Sequence, residues 1–226
     1  MTSYNNNPEF KKKAIEAAIR HRDMDMLMIG TYGRKNIYGF KGCSVGCDYL
    51  DINGEATDKP HQTTADYFGF PIWMEHLRDK IFEGLEEADR VNWHVDIKQA
   101  IPIGMDEADF DKVKKDFLIW LMEENIKFLV NLDVGQGLKY QTMSVVQGSI
   151  KALKTGEGIN EAYDVANAIS EMTARAARAA GAAMAARAAR AAMTSDVADS
   201  AAMASWAASY KKQSNKLIEL FEAVKK

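Results

Sequence analysis

The sequence predicts a mainly α protein: a helical domain holding a glycine-rich loop, itself able to close as a short β-hairpin, plus a C-terminal alanine-rich helical hairpin. Three observations carry this expectation. Apolar residues recur at helical spacing through most of the first 155 positions, as in Trp73, Leu77, Ile81 and Leu85. Thirteen of the nineteen residues from Ala174 to Ala192 are alanine, the strongest helix former. Helix-start signals recur at Pro8, Pro71 and Asp106.

Taken in order, Pro8 suits a first helical turn, and Phe10, Ala14, Ala17, Ala18 and Ile19 continue a helix over 8–22. Lys11, Lys12 and Lys13 read as its solvated face. The stretch Thr31–Cys47 comes next, with four glycines, three aromatics, three cations and both cysteines. Tyr32-Gly33 and Tyr38-Gly39-Phe40 suggest the arms of a hairpin, with Arg34-Lys35-Asn36 at its tip. A helix is expected over 44–50, then a polar loop through Asn53-Gly54 and Lys59-Pro60. Further helices are expected over 70–85 and 89–100, and from an Asp106 cap onward through Val113, Phe117 and Leu121. Residues 126–132 read as helix rather than strand, and 138–153 as another helix.

Thr155-Gly-Glu-Gly158 marks the internal boundary, so the expected organisation is a core of residues 1–155 and an Ala-rich hairpin of 156–226. The hairpin comprises a helix over 160–193, a break at Thr194-Ser195-Asp196 and a final helix through Trp206 to Val224. Arg175, Arg178, Arg187 and Arg190 recur every three residues or multiples of three. Each step of three drifts about 60° around a helix, so they coat roughly half its circumference. These arginines are an outer face for phosphate or partner contacts. The small residues opposite would let helices pack closely, in cis or between chains.

Composition narrows the classes. A net charge of −3 argues against general nucleic-acid binding. No run of about 18 apolar residues suggests a membrane span, and two cysteines without a secretion signal fit the cytoplasm. Cys43 and Cys47, four apart, make an incomplete metal set; neither metal nor cofactor is expected. Cys43 at a helix start could be an activated thiol, but no hydrolase signature surrounds it. His76 and His94, beside tryptophans, read as structural histidines. The acids at 86–89 and 106–111 read as helix-start charges.

The favoured chemistry is anion binding. Lys41, Gly42, Cys43, Ser44 and Gly46 join a cation and flexible backbone to a helix start, where free amides favour phosphate or carboxylate. Tyr32, Tyr38 and Phe40 could stack on a base while Arg34, Lys35 and Lys41 meet phosphate. An ordinary glycine-rich turn tucked onto the core is the competing explanation.

Three segments, Lys41–Cys47, Pro71 to Leu85 with its Ile-Phe-Glu-Gly-Leu ending, and Ala100-Ile-Pro-Ile-Gly104, resemble a group of uncharacterised bacterial and phage proteins. In that group such a core precedes an Ala/Arg/Trp repeat helix. The resemblance implies a phage or mobile-element origin and supplies no catalytic residues. The sequence thus suggests a non-enzymatic binding protein for a small anionic ligand such as a nucleotide, sequestering a host immune signal. The alternatives are a module docking a host protein or a second copy through the Arg-coated hairpin, and a cysteine-dependent enzyme.

Overall fold

The structure, a computed structural model, describes residues 2–37, 39–57, 59–131, 136–156 and 195–224. The expected helix over 160–193, with Arg175, Arg178, Arg187 and Arg190, lies outside the described residues, as does Tyr38. Mainly helical architecture is what the chain adopts. The described helices are α1 Pro8–Asp23, α2 Ser44–Asn53, α3 Pro60–Phe68, α4 Ile72–Gly84, α5 Glu87–Ala100, α6 Glu107–Asn131, α7 Gln136–Thr155 and α8 Ser195–Glu222. The described strands, β1 Arg34–Asn36 and β2 Gly39–Lys41, form an antiparallel ribbon. No described helix is long and apolar enough to cross a membrane.

The chain divides into two compact units, residues 1–114 with 203–226, and residues 115–202. In the second, Phe117 packs against Trp120, Ile150 and Ala152 are buried, and an exposed Lys154–Glu123 ion pair links α7 to α6. The first unit contains the loop and the candidate site.

Local chemistry explains most of the first unit's elements. Asn7 caps α1 by accepting from the amides of Glu9 and Phe10, with Pro8 at the first position. Asp106 and Asp109 cap α6 reciprocally, each carboxylate accepting from the other's amide. The N-terminal segment is polar and rich in asparagine, yet it does not stand free. It is instead a short 3-10 turn, Ser3–Asn6, with Ser3 and Tyr4 fully buried. Tyr4 donates to the Lys98 carbonyl at 2.8 Å, and Ser3 donates its hydroxyl to the Pro102 carbonyl at 2.6 Å. These bonds hold Tyr4, Asn5 and Asn6 at positive φ, a conformation L residues rarely take.

Helix α3 was not foreseen: Pro60 stands at its start and Gly69, at φ 70°, ends it. Tyr4, Phe10, Phe68, Phe70, Phe110 and Phe221 form the aromatic core, with Tyr4 edge-on to Phe70 at 5.2 Å. The end of α8 joins it through Leu217 and Phe221, and Tyr210 covers Gly84.

Beside this apolar core runs a buried ionic one. Asp48 on α2 bonds Lys98 of α5 at 2.5 Å and Arg78 of α4 at 2.7 Å. Arg78 also bonds Glu75 at 2.6 Å, and Thr64 of α3 donates to Glu75. All five side chains are essentially inaccessible. Two carboxylates balance two cations, which is what makes their burial tolerable. His21 of α1 and His94 of α5 stack beside Asp48, their Nδ1 and Nε2 atoms 3.1 Å apart, and Asp51 lies 2.9 Å from the far nitrogen of His21.

This cluster dictates an acid-sensitive fold. Burial drives the His94 pKa well below the usual value, so the folded protein keeps it neutral. Burial alone would raise Asp48, but Lys98 and Arg78 hold its carboxyl far below the usual range. Both folded pKa values are depressed, so the unfolded chain takes up protons first. Stability then falls as pH drops, first below about 6.5, where an unfolded His titrates, and again below about 3.9 for Asp. Raised Glu83 and Asp96, both less buried, act in the opposite sense. Denaturant titrations across pH 8 to 4 should show unfolding free energy falling below pH 6.5, by at most about 1.4 kcal/mol per pH unit for one proton. His94→Gln should flatten that region; a wild-type curve flat from pH 7 to 5 contradicts the assignment.

Candidate functional site

The Thr31–Cys47 stretch is less a free loop than a crossing. Backbone bonds from Met28 to Gly42, Gly42 to Met26 and Cys43 to Thr31 tie its two limbs together. The ribbon differs from the expected hairpin by a shift in register. Arg34 pairs with Lys41 and Asn36 with Gly39, so Arg34-Lys35-Asn36 form the strand β1 and not the tip.

A cleft of about 600 Å³ opens beside this crossing. Gly30, Thr31, Tyr32 and Gly33 line it from the loop, Ala56 and Thr57 from the segment after α2, and Asp79 and Glu83 from α4. Asp79 and Glu83 are four apart on one helix and therefore share a face. Glu83 is clamped by the Gly30 amide, which lies 2.9 Å and 3.1 Å from its two oxygens. Its pKa is raised, chiefly by burial and also by Asp79. The second Asp79 oxygen, Oδ2, lies 3.2 Å from His61 Nε2. His61 is stacked on His76 at 4.1 Å and meets the Tyr32 ring edge-on at 5.3 Å.

Of the expected ligand-binding residues, Tyr32 lines this cleft. Arg34 and Lys35 are exposed on β1, next in the chain to the cleft residue Gly33. Phe40 places its ring under Gly33, and Lys41 pairs with Asp25 at 2.5 Å. Gly42, Cys43, Ser44 and Gly46 are buried. The start of α2 is a closed helix end: Cys43 Sγ accepts from the Gly46 amide at 3.4 Å, and the Tyr32 carbonyl lies against Gly46. The cleft residues that sequence reasoning missed are Asp79, Glu83, Ala56 and Thr57. The i, i+4 acidic pair on α4 was the available signal, but such pairs are ordinary on solvated faces.

The cysteines point apart in function. Cys47 Sγ faces the carbonyls of Met26 and Gly42 at 3.6 Å, while Cys43 Sγ sits beside Asp79 and Glu83. Burial pushes both thiols up, and for Cys43 the neighbouring Asp79 carboxylate pushes further. A thiol held protonated is the opposite of an activated nucleophile.

No family model, curated protein or solved structure matches this chain.

Proposed function

We propose that the protein binds a small ligand in the cleft between the Gly30–Gly33 limb and α4, holding it without converting it. The observation that carries this is the pair of carboxylates, Asp79 and Glu83, at the wall of a cleft whose other lining is small, hydroxyl-bearing or aromatic. Carboxylates in a partly dry cleft favour hydroxyl, amine or amide donors and repel phosphate. An anionic group on the ligand therefore belongs at the outer side, toward exposed Arg34 and Lys35. A nucleoside or nucleotide fits this order: sugar hydroxyls or base amines against the carboxylates, a ring face on Tyr32, and phosphate outward. The seat thus moves from the amides of α2, which are capped and covered, to the acidic wall a helix away.

Calorimetry with nucleosides, nucleotides and polyamines, run on chelator-treated protein, tests the proposal. At least one class should bind at one site per chain, weakened at least tenfold by Glu83→Gln and by Tyr32→Ala. A panel without binding, or binding unaffected by both changes, overturns it.

A further inference from the structure

We infer that Cys43, Asp79 and Glu83 form a binding site for one thiophilic divalent cation of the zinc type. The inference rests on the same cleft and the same Asp79–Glu83 pair as the ligand-binding proposal, the cation taking the place there that a ligand amine or hydroxyl takes in its absence. Cys43 Sγ, one oxygen of Asp79 and one of Glu83 all lie within 4.8 Å of one another. Tetrahedral zinc, with bonds of about 2.0–2.3 Å, puts its ligand atoms about 3.3–3.8 Å apart. A contraction of about 1 Å, within reach of the half-buried Glu83 side chain, completes the set.

The three groups are positioned by separate backbone features. Cys43 is fixed as the cap of α2, its amide donating to the Thr31 carbonyl at 2.8 Å. Asp79 and Glu83 come from one face of α4, and the Gly30 amide, shared between the two Glu83 oxygens, keeps that carboxylate turned toward the loop. His61 adjoins Asp79, its Nε2 3.2 Å from Oδ2, and orients that carboxylate from behind.

A second observation points to a missing cation. Asp79 is largely buried, and its Oδ1 meets no donor there other than the thiol of Cys43 beside it. Among the described residues no lysine or arginine hydrogen-bonds Asp79 or Glu83. Arg78, next in sequence, is turned toward Asp48 and Glu75. The other cluster of metal-capable groups, His21, Asp48 and His94, is in the contrary state, its carboxylate already satisfied by Lys98 and Arg78.

The donor chemistry selects the ion. A sulfur ligand disfavours magnesium and calcium, which take oxygen, and suits zinc, which accepts sulfur, nitrogen and oxygen together. On binding, the Cys43 thiol gives its proton to solvent and the sulfur bonds the metal as thiolate. The remaining coordination position opens on the cleft, because Asp79 and Glu83 line it.

The test uses the full chain, stripped with a chelator and titrated with zinc or cobalt(II) alone. One equivalent should bind, with release of one proton seen by calorimetry in buffers of different ionisation enthalpy. Cobalt should add a near-ultraviolet thiolate-to-metal absorption. Cys43→Ser should abolish that absorption and weaken zinc at least tenfold, and Glu83→Gln, at a half-buried residue, should also weaken it at least tenfold. Cys47→Ser should keep both signals. Absence of stoichiometric binding to the wild type, or binding insensitive to Cys43→Ser and Glu83→Gln, overturns the site. Because no organic ligand is present here, and the ligand panel is run metal-free, each proposal can fail while the other stands.

Discussion

Asp48→Asn should cost about 3–5 kcal/mol of folding stability, the usual penalty for breaking one side of a buried ion pair. Asparagine keeps the shape but removes the charge that Lys98 and Arg78 share at 2.5 Å and 2.7 Å. Its amide nitrogen must then face one of the two cations, and Glu75 alone remains to offset both. Domains of this kind are stable by only about 5–15 kcal/mol, so the loss is a large fraction of the total. Urea unfolding should show a much lower midpoint with a similar slope. The double change Asp48→Asn with Lys98→Met should recover part of the loss, because it removes the cation left unpaired and fills its space with an apolar chain. A change within about 0.5 kcal/mol, as at ordinary surface positions, would show that Asp48 is not the hub.

That hub was invisible in the sequence, and the reason is physical. On α4 the apolar face was read through Trp73, Leu77, Ile81 and Leu85, joined by Met74 and Phe82, with Glu75, Arg78 and Asp79 outside it. In the folded chain Met74, Ile81, Phe82 and Leu85 are buried together with Glu75, Arg78 and Asp79, while Trp73 and Leu77 are only half-buried. Hydrophobic period finds a helix and its rough inner face. It cannot reveal that a charged side chain is matched by an opposite charge thirty residues away, as Arg78 is by Asp48. The helices themselves were readable because apolar spacing and caps agree, as at Pro8 and Asp106. Helix α3 was not, since His61 to Tyr67 offers little apolar period; its remaining signals were Pro60 and Gly69.

The site divides in the same way. Local composition singled out Thr31–Cys47, and Tyr32 does line the cleft. Its chemical character, however, comes from Asp79 and Glu83, which only the tertiary fold brings to the loop. A loop read alone as basic, through Arg34, Lys35 and Lys41, therefore borders a cleft whose wall is acidic. Lys41 is paired with Asp25, and the Gly46 amide at the start of α2 is taken up by Cys43 Sγ.

The glycines of that loop provide the sharpest test of the crossing. Gly46→Ala should destabilise the protein by about 1–3 kcal/mol or more, as backbone overpacking does. Helix propensity alone predicts the opposite sign, since alanine is favoured over glycine in a helix interior by about 1 kcal/mol. What reverses it is the Tyr32 carbonyl, which occupies the place a Cβ would take at Gly46. Backbone cannot swing aside as a flexible side chain can, and the same segment is pinned by the Cys43-to-Thr31 hydrogen bond. Relief of the clash must therefore push the Gly30–Gly33 limb outward and open the cleft that Tyr32 lines. The thermal midpoint should fall, and ligand or metal affinity should fall with it. Gly148→Ala, in α7 with open space around it, should instead gain a few tenths of a kcal/mol to about 1 kcal/mol. If Gly46→Ala behaved like Gly148→Ala, the limb would not lie against the start of α2, and the cleft would lose the wall that gives it shape.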